Sequence, residues 1–507
     1  MEQRLKRQDL DRYLWLLLVL IIALATLLRI YHLDSQSFWI DEGYSVWAAQ
    51  TFSSIDPATS YSADTPLYPF VLRQWMRLFD TDFGIRLLSV IFGVAAVPII
   101  FFLGRSAFNN TVGITSALFL ALSPFHIKYS QEVRVFSIFF FFLLFAIYMI
   151  VKLAKEEKMV YWLGYVLSGA LMLYSHGTAA FYLVLLNIFF LILGWPPNVH
   201  VLKKWILANM LIVLLFLPWM TMYLIIAKNV VSGWWAPTPT PGDLINTVVS
   251  FTALSIPPPA EMLRARFGIP IGFQVPSIVW SLSFIGLFLY GLYAAIRFKK
   301  KELLAFIAFL IGAIGGMYII SLTIQPIYGD RLLLPALISV SFLVTSPLLL
   351  ITSKIHRKFI VLLLIISFFI LTLSGFYYFR YPTKQNWKGA TEHIYRAHKD
   401  QDLIIFNTNS DIHLFIFERY LPDKDAEIPK LHITDMIGYV NKTVNPGDIA
   451  SLIERIPSAK RIWLVLSHVK SIDPEGLVLS WFEQHYRAVD RLRFNGLKVN
   501  LYAARDM

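Results

Sequence analysis

The side chains best suited to acid–base chemistry lie in the segment that follows the first apolar stretch of the sequence. Between Asp34 and Asp82 this segment carries seven acidic and only two basic residues. It includes the adjacent carboxylates Asp41 and Glu42, which stand among the aromatic residues of the stretch Phe38–Ser45. Desolvation and a neighbouring like charge raise the pKa of a carboxyl group toward neutrality, where it can act as a general base. The same pair would also suit the solvated first turn of a helix, because the helix dipole favours negative charge there.

Two further groups of charged residues stand next to apolar stretches. Glu132 and Arg134 precede a very apolar helix predicted over Ile138–Ile150. Ionisable groups at such a position are costly unless they are paired or face a wet cavity, so these two either bind each other and lipid headgroups or line a site. Arg331 follows Tyr328 at the start of another apolar stretch. An arginine there can bind a phosphate through two parallel hydrogen bonds, or it can anchor the helix at the membrane interface.

Single polar residues in other loops are weaker candidates. Asp64 and Tyr68 flank a proline turn, and Arg86 lies one helical turn after an aspartate with which it could pair. His176 lies in a turn, where a lone histidine is more often structural than catalytic. Lys228 begins a loop that combines cations with tryptophans. That composition suits contacts with sugar and phosphate, and it is also typical of aromatic belts at the membrane interface.

The composition indicates which elements must position these residues. Hydrophobic residues make up 57% of the 507-residue chain and charged residues 15%, whereas soluble proteins have about 45–50% and 25%. About eleven apolar runs approach the ~20 residues that a membrane-spanning helix needs. These runs are Tyr13–Ile30, Gly84–Leu103, Thr111–Phe125, Val135–Val151, Val160–Tyr174, Ala179–Leu193, Trp205–Ile226, Ile278–Ile296, Leu303–Ile324, Leu332–Leu350 and Phe359–Tyr377. We therefore predict a mainly α fold, a polytopic membrane helix bundle embedded in a lipid bilayer.

Lysine and arginine residues concentrate in alternate connections between these runs. With the N-terminus in the cytoplasm, the N-terminal tail and the cytoplasmic connections together hold seventeen basic and six acidic residues. Cytoplasmic loops of membrane proteins carry such an excess. The pattern predicts a multi-pass plasma (inner) membrane protein with a cytoplasmic N-terminus, and it accounts for most of the net charge of +12. Because the basic residues lie beside the membrane, no nucleic-acid partner is predicted.

The sequence becomes normally polar after the last apolar run. Three short apolar stretches predict strands, and an amphipathic helix precedes the first of them. The predicted strands are Asp402–Asn407, Arg461–Ser467 and Leu497–Tyr502. A segment of about 125 residues is large enough to fold alone. We predict a transmembrane domain over residues 1–379 and an extracytoplasmic soluble α/β domain over residues 380–507.

Several common chemistries find no support in the sequence. The chain has no cysteine, which excludes a disulfide scaffold and any zinc or iron–sulfur site with cysteine ligands. It has no glycine-rich phosphate loop before a helix and no His-Glu-x-x-His zinc motif. It also lacks the Gly-x-Ser-x-Gly turn that carries the nucleophile of many hydrolases.

Taken in order, the polar motifs resemble those of polytopic glycosyltransferases of the GT-C class. The similarity is to the dolichyl-phosphate-mannose-protein mannosyltransferase-like group, glycosyltransferase family 39 with its bacterial relatives, and it covers about the first 400 residues. The matching motifs are Trp39-Ile40-Asp41-Glu42, Asp64-Thr65-Pro66-Leu67-Tyr68, Gly84-Ile85-Arg86-Leu87, Tyr129–Phe136, Tyr174-Ser175-His176, Asp330–Pro335 and Asn386–Ala390. Thr65, Phe136 and Asp330-Arg331-Leu332 depart from the usual residues of the group. These departures affect substrate specificity rather than architecture.

The resemblance implies an enzyme that moves a hexosyl or pentosyl group from a polyprenyl-monophosphate donor to an acceptor hydroxyl or similar nucleophile. The transfer would occur at the outer membrane face, with inversion at the anomeric carbon. Asp41 would be the general base, Glu42 would support it, and Glu132 would be a second acidic group near the sugar. Arg134 and Arg331 would bind the leaving phosphate. The remaining candidates are assigned to substrate binding: Asp64, Tyr68, Arg86, His176 and Lys228.

The sequence does not decide whether a metal ion is needed or which acceptor is used, and other functions have to be considered. Some relatives use a divalent metal ion and others do not, and this sequence has carboxylates without a convincing ligand set. Many spans with ionisable residues also describe a transporter or flippase of a lipid-linked sugar. Against transport, the charged motifs lie at one membrane face, no inverted repeat is visible, and a soluble outer domain is attached. A structural or sensory membrane protein would not need acidic and basic motifs in this order.

Overall fold

The computed structural model describes most of the 507 residues. The described parts are residues 2–52, 65–196, 198–233, 237–251, 274–298, 300–349, 354–380, 382–423, 428–434, 443–456 and 461–504. The chain divides into two compact units. The first comprises residues 1–33, 55–79 and 84–381, and the second comprises residues 34–54, 80–83 and 382–507.

Helices account for nearly all regular structure of the first unit. In chain order they are α1 (Glu2–Ile30), α3 (Leu67–Met76), α4 (Asp82–Ala107), α5 (Asn110–Leu122), α6 (Pro124–Ser130), α7 (Phe136–Lys155), α8 (Met159–Leu173), α9 (Ala179–Gly194), α10 (Val199–Gly233), α11 (Pro241–Phe251), α12 (Gln274–Phe298), α13 (Lys301–Ile311), α14 (Met317–Thr323), α15 (Ala336–Thr345) and α16 (Lys354–Arg380). A π-helical turn at Gly312–Gly316 joins α13 to α14, and 3₁₀ turns at Asp330–Leu333 and Ser346–Leu349 flank α15.

Over its described residues, each of the eleven apolar runs contains one or more of these helices, and the run that begins at Leu332 also includes 3₁₀ turns. Within the described residues, six helices are long and apolar enough to cross a membrane, or seven if α5 and α6 form one bent span. Four shorter apolar helices accompany them. The protein is therefore an integral membrane protein with the predicted helical fold, while the number of eleven spans stays a prediction.

A sharp bend of 61° separates α5 from α6. The sequence explains it, because Pro124 disfavours a helical conformation at the preceding residue, Ser123. Ser123 is extended at ψ 111°, and its side chain caps the new helix by accepting a hydrogen bond from the His126 amide. The break leaves the last carbonyl groups of α5 without helical partners.

A fully buried arginine of α1 satisfies those carbonyl groups. The guanidinium of Arg29 donates to the carbonyl oxygens of Leu120 and Ala121 at 3.0 and 3.2 Å. It also donates to Nδ1 of His126 at 2.7 Å. A cation at a helix C-terminus is favoured by the exposed carbonyls and the helix dipole. The bend therefore has a fixed geometry, which positions the residues that follow α6.

The core of the second unit is a five-stranded sheet within the described residues, in the order β2-β1-β3-β5-β4. The strands are β1 (Leu403–Thr408), β2 (Lys430–His432), β3 (Arg461–Ser467), β4 (Tyr486–Phe494) and β5 (Leu497–Ala504). β1 pairs in parallel with β2 and β3, and β5 pairs antiparallel with β3 and β4. The three strands predicted from the sequence correspond to β1, β3 and β5.

Helices cover both faces of this sheet, as the predicted α/β fold requires. The amphipathic helix predicted before β1 is α17 (Trp387–Ala397). The others are α18 (Ile412–Arg419), α19 (Pro446–Arg455), α20 (Val469–Ile472) and α21 (Leu477–His485). Two buried apolar clusters form the core, one built around Trp387 and Trp463 and the other around Phe482 and Tyr502.

The second unit also contains α2 (Ile40–Gln50), which comes from a distant part of the sequence. Ile40 and Tyr44 of α2 pack on the core cluster around Trp387. A Cβ atom at Gly43 would lie 2.5 Å from the Ile416 side chain, so glycine is what allows α2 to approach α18 this closely. The acidic segment near the N-terminus is thus part of the C-terminal α/β unit.

Candidate functional site

Asp41 and Glu42 occupy the first turn of α2, but their surroundings differ. Glu42 is fully buried, and one of its carboxylate oxygens lies 2.9 Å from Nζ of Lys384. The lysine is itself only 7% exposed. Asp41 is half-buried, and its backbone carbonyl accepts a hydrogen bond from Ser45. The structure thus gives Glu42 a buried charge partner and leaves the Asp41 carboxylate nearer the surface of its unit.

A histidine at the end of β3 interacts electrostatically with Asp41. His468 follows β3 in a left-handed backbone conformation, with φ at 51°. Its Nδ1 accepts a hydrogen bond from Gln385 at 3.3 Å and lies 3.1 Å from Oγ of Ser467. Partial burial lowers the pKa of His468, and the carboxylate of Asp41 partly opposes this effect. At neutral pH the ring beside Asp41 is therefore predominantly uncharged.

A second histidine lies behind the first. The rings of His413, on α18, and His468 are 5.5 Å apart, and the His413 ring also contacts Trp387 at 5.3 Å. His413 is fully buried and its Nδ1 donates to the carbonyl oxygen of Ser410 at 2.9 Å. Burial, aided by the neighbouring His468, lowers the pKa of His413 to about 3. The two rings form one side of a polar cluster at the carboxyl ends of β1 and β3.

Acidification is expected to loosen the C-terminal sheet through His413. An unfolded histidine titrates near pH 6.5, so below that pH the unfolded state binds a proton that the folded state does not. The free energy of unfolding should fall by about 1.4 kcal/mol per pH unit between 6.5 and the folded pKa near 3. Hydrogen–deuterium exchange of β1, corrected for intrinsic rates, should therefore accelerate from pH 7 to pH 5. His413→Phe should strongly reduce this response, with a smaller part left to His468, and His485→Phe should retain it in full. An unchanged acid response in His413→Phe would contradict the assignment.

Asp82 and Arg86 have partners other than each other. Asp82 Oδ1 accepts hydrogen bonds from Nε and Nη2 of Arg419 at 3.0 and 2.8 Å, and Tyr420 donates to Oδ2. These contacts belong to the second unit. In the first unit Arg86 is fully buried and donates to the carbonyl oxygen of Leu33 at 2.8 Å. The sequence-based alternative that Asp82 pairs with Arg86 is therefore wrong.

The first unit gathers two of the predicted charged motifs into one group. Glu132, which is buried, interacts electrostatically with Lys128 and Tyr129 of α6. Asp330 interacts with the same two residues, and Arg331 interacts with Tyr129. The ammonium group of Lys128 lies 5.0 Å from the centre of the Tyr129 ring. Two motifs about two hundred residues apart in the sequence thus form one group of mixed charge.

Arg134 and His176 both contact the aromatic ring of Phe136. The guanidinium of Arg134 stands 5.8 Å from the centre of the Phe136 ring, which contacts the His176 ring at 5.8 Å. Phe136 also contacts Tyr129 at 5.3 Å, which links this pair to the charged group. Nδ1 of His176 accepts a hydrogen bond from the Thr178 amide at 3.0 Å. We call Lys128, Tyr129, Glu132, Arg134, His176, Asp330 and Arg331 the charged cluster.

Helix α11 contacts this cluster from a further part of the chain. Oγ of Ser250 donates to Oδ2 of Asp330 at 2.7 Å, and Thr247 is hydrogen-bonded to Tyr328 at 2.8 Å. The adjacent Phe251 packs on Phe125 of α6 with the rings 5.7 Å apart. Because Ser250 engages the carboxylate of Asp330, it orients the 3₁₀ turn that carries Arg331.

Three other residues predicted to contact the substrate are not among the seven that define the charged cluster. Tyr68 is buried, and its hydroxyl lies 2.8 Å from Oγ of Ser89 on α4. Lys228 is exposed on α10. Asp64 lies outside the described residues. The assignment of Tyr68, Lys228 and Asp64 to substrate binding stays a prediction.

Two lysines in these surroundings were not among the predicted site residues. Lys128 directly precedes the Tyr-Ser-Gln-Glu motif, and its neighbours in the sequence could have indicated it. Lys384 lies in a polar stretch after the last membrane helix and resembles an ordinary basic linker residue. Only its contact with Glu42, 342 residues away in the sequence, reveals its environment.

The part of the chain that the structure describes contains no group of three or more histidine, aspartate or glutamate side chains arranged to hold a metal ion. In the first unit, carboxylates and cations alternate, as in a group that binds an organic anion. In the second unit, the ammonium group of Lys384 lies next to the Glu42 carboxylate, in the place where a metal ion would have to bind. The described residues therefore offer no fit for a metal centre.

Comparisons with known proteins agree with this architecture. Residues 63–222 match the family model described as dolichyl-phosphate-mannose-protein mannosyltransferase. Among functionally curated proteins, none matches the chain. The fold is similar to the apo structure of ArnT from Cupriavidus metallidurans, with 12% identity, coverage of 95% of this chain and 97% of that one, and a TM-score of 0.61.

Two other solved structures are similar to this chain in fold. ArnT from Cupriavidus metallidurans bound to undecaprenyl phosphate matches at 11% identity and a TM-score of 0.59, with coverage of 95% of this chain and 97% of that one. The Archaeoglobus fulgidus oligosaccharyltransferase with zinc and sulfate matches at 13% identity and a TM-score of 0.57. The match covers 96% of this chain and 73% of that one. At these identities the similarity shows the fold. The GT-C fold that the resemblance predicts is thereby confirmed, and the match of residues 63–222 to the mannosyltransferase family model agrees with the resemblance.

Proposed function

We propose that the protein is a membrane glycosyltransferase that moves a sugar from a polyprenyl-monophosphate donor to an acceptor nucleophile at the outer face of the membrane. The observation that carries the proposal is the charged cluster of the first unit. Lys128, Arg134 and Arg331 supply three cations next to Glu132 and Asp330 in a membrane helix bundle. A purely structural bundle has no need for such a group, because ionisable residues there are costly.

The related folds support the class of donor. The ArnT structure with undecaprenyl phosphate shows that protein binding a polyprenyl monophosphate, and residues 63–222 of this chain match a family named for a dolichyl-phosphate sugar donor. A polyprenyl tail needs an apolar environment such as membrane helices supply, and its phosphate needs cations. We assign the phosphate to Arg134 and Arg331, because arginine binds phosphate oxygens bidentately.

The proposed reaction is a single inverting displacement at the anomeric carbon. The acceptor oxygen attacks that carbon and transfers its proton to the carboxylate of Asp41. The bond between the anomeric carbon and the phosphate oxygen breaks, and polyprenyl phosphate leaves with the electron pair. Negative charge grows on the leaving phosphate, so fixed arginines stabilise the transition state more than the ground state. Glu132 stands near the sugar and balances its developing positive charge.

The environment of Glu42 supports a positioning role for it. Its carboxylate is buried against Lys384 and has no access to solvent, whereas Asp41 on the preceding position is half-buried. A proton acceptor must reach the acceptor group, which favours Asp41. Glu42 then fixes the first turn of α2 and, with it, the direction of the Asp41 side chain.

The distribution of lysine and arginine supports the membrane orientation. With the N-terminus in the cytoplasm, the basic connections lie inside, and the motifs around Asp41, Glu132 and Arg331 lie outside, together with the C-terminal α/β domain. Asp64, Tyr68, Arg86, His176 and Lys228 complete the proposed substrate-binding residues.

One experiment tests the function directly. Purified protein in detergent is incubated with polyprenyl-phosphate sugars that carry a radiolabel in the sugar and with membrane extract as the source of acceptor. Release of polyprenyl phosphate together with label in an acceptor is the expected result. A transporter would leave the donor intact. Intact donor with every sugar tested, from protein that remains folded, would contradict the proposal.

Loss of the arginines should weaken donor use. Arg134→Ala and Arg331→Ala are each expected to raise the apparent KM for the lipid donor by about tenfold or more and also to lower kcat, because a charge-assisted hydrogen bond contributes roughly 1.5–3 kcal/mol and strengthens in the transition state. Steady-state kinetics with varied donor measure this. Lys203→Ala, on the exposed part of α10, removes a cation elsewhere and should leave KM unchanged. Unaltered donor dependence in both arginine variants would remove them from the phosphate site.

A further inference from the structure

The C-terminal α/β unit contains a cavity that the proposed reaction does not use. Its volume is about 620 Å³, which lies in the range of small-molecule sites. Its walls come from the carboxyl end of β3 with His468, from α20, from the start of α21, and from the hairpin that joins β4 to β5. The carboxyl ends of parallel strands are where α/β folds bind ligands. Position alone therefore marks the cavity as a candidate site.

Three cations line the cavity. Arg493 on β4 and Lys498 on β5 are direct cross-strand partners, so their side chains stand on the same face of the hairpin. Lys470, on α20, adds a third positive charge. All three are exposed. Within the part of the chain that the structure describes, none of the three has an ion pair or a side-chain hydrogen bond.

The pairing of Arg493 with Lys498 is unfavourable by itself. Like charges directly opposite each other in an antiparallel pair destabilise the sheet. Two acids of the unit, Asp473 and Glu483, have partners of their own. Asp473 accepts hydrogen bonds from the Leu477 and Val478 amides at 2.7 and 3.1 Å, and Glu483 is bound by Arg491 at 2.5 Å. The three cations of the lining therefore remain without an ion pair among the described residues.

The hairpin that carries the two cations is held in place by the chain segment before α17. Nδ2 of Asn495 donates to the carbonyl oxygen of Lys384 at 2.6 Å, and the Asn386 amide donates to the Asn495 carbonyl at 2.9 Å. Gly496 has a φ of 71°, and a Cβ there would lie 2.7 Å from Gln385. The cations are thus mounted on an anchored turn, which reduces the entropy lost when a ligand binds.

The floor of the cavity is apolar. It is formed by Leu466, Val469 and Leu479, which belong to the apolar cluster on the same face of the sheet as Arg493 and Lys498. A cationic rim over an apolar floor suits a molecule that carries a phosphate on an organic body better than it suits a bare ion.

We propose that this cavity binds a phosphate group carried by an organic molecule, with Arg493 and Lys498 holding the phosphate from opposite strands. Lys470 closes the third side, and Val469 and Leu479 contact the organic part. The lining also includes His468, which interacts with Asp41, but the three cations have no part in the proposed transfer, and the phosphate site does not depend on that chemistry. Two sources have the required chemistry: the headgroup of an anionic phospholipid and a soluble phosphate ester.

The test measures binding to the full chain in an uncharged detergent. Isothermal titration uses two probes, the water-soluble lipid dihexanoyl-phosphatidylglycerol and glycerol 3-phosphate. Arg493→Gln with Lys498→Gln removes the proposed ligands. Arg487→Gln with Lys399→Gln is the control, because both residues are exposed in the same unit and outside the cavity lining. The two double variants have the same net charge.

At least one probe is expected to bind the wild-type protein, and the Arg493/Lys498 variant should weaken that binding by about tenfold or more. The control variant should bind as the wild type does. Binding of the lipid alone identifies a headgroup site, and binding of glycerol 3-phosphate alone identifies a site for soluble esters. Absence of binding by both probes, or equal weakening in the two variants, would overturn the proposal.

A second measurement separates a lost ligand site from a lost fold. Because Arg493→Gln with Lys498→Gln removes a cross-strand repulsion, hydrogen–deuterium exchange of β4 and β5 without ligand should be as slow as in the wild type or slower. Addition of the probe that binds should slow exchange in the wild type and have no effect in the variant. Faster exchange in the unliganded variant would show that the two cations stabilise the hairpin, which would contradict a site built for an anion.

Discussion

Asp41→Asn is expected to reduce sugar transfer by about 10²–10⁴-fold, the range over which a positioned general base contributes to catalysis. Asparagine keeps the size of the side chain and its place in the first turn of α2, but its amide cannot take a proton from the acceptor. Release of polyprenyl phosphate from a labelled donor, measured under saturating donor, gives the rate. The apparent KM for the donor should change little, since Asp41 is assigned to the acceptor side of the reaction.

Asp34→Asn provides the matched control. Asp34 is an exposed acid of the same unit, seven residues earlier in the sequence, and its replacement should leave the rate within about twofold of the wild type. Membrane insertion and hydrogen exchange of α2 should be unchanged in both variants. A fully active Asp41→Asn protein would exclude Asp41 as the base and would direct attention to Glu132.

The second large effect concerns the buried pair of Glu42 and Lys384. Lys384→Met should destabilise the C-terminal unit by about 3–5 kcal/mol, because it leaves a carboxylate buried without its ammonium partner. Glu42→Leu combined with Lys384→Met should recover much of that loss, since two apolar groups of similar volume need no desolvation of charge. Hydrogen exchange in α2 and α17 measures both effects. The double variant should nevertheless transfer sugar slowly if Glu42 positions Asp41.

The exposed pair of Glu418 and Lys430 serves for comparison. Their charged atoms are 2.8 Å apart, but the Glu418 side chain is 48% exposed. Breaking such a pair typically costs about 0–1 kcal/mol. Equal losses in Lys384→Met and Lys430→Met would show that burial adds nothing to the Glu42–Lys384 contact. A double variant less stable than Lys384→Met would point to further partners of Glu42.

The membrane helices could be predicted because their signal is local. A run of apolar residues must be helical in a bilayer, where every backbone polar group needs a partner within the segment. The eleven runs accordingly fall on helices. The bend between α5 and α6 also has a local cause in Ser123-Pro124, yet the run Thr111–Phe125 read as one continuous span. The length and hydropathy of an apolar run do not indicate whether the helix axis changes direction within it.

Strands were predicted where burial makes them uniformly apolar. β1 and β3 are central, and all but one of their thirteen residues are buried. β4 was missed because it lies at the edge of the sheet and alternates exposed charges such as Arg487 and Arg493 with half-buried residues. β2 has three residues, too few for a periodicity. Edge strands are commonly short or charged, which hides them from hydropathy.

The sequence predicted individual residues of the candidate site, but it did not predict which of them lie together in space. Glu132, Arg134 and Arg331 attracted notice because charge beside an apolar run is costly. Their grouping with Lys128 and Asp330 depends on how helices pack, for which the sequence contains no local signal. The same limit applies to α2, whose partners in the C-terminal unit are encoded more than three hundred residues later.

The long sequence separation between α2 and its partners affects the order in which they are synthesised. Glu42 and Lys384 are 342 residues apart, and ribosomes add roughly 5–20 residues per second. Helix α2 therefore waits roughly 20 to 70 s after its own synthesis before the chain that buries Glu42 and Ile40 exists. During that interval its apolar face is uncovered while the membrane helices are being inserted. We expect the cell to shield this segment, and we expect a chain that stops before Lys384 to be recognised as unfinished and degraded.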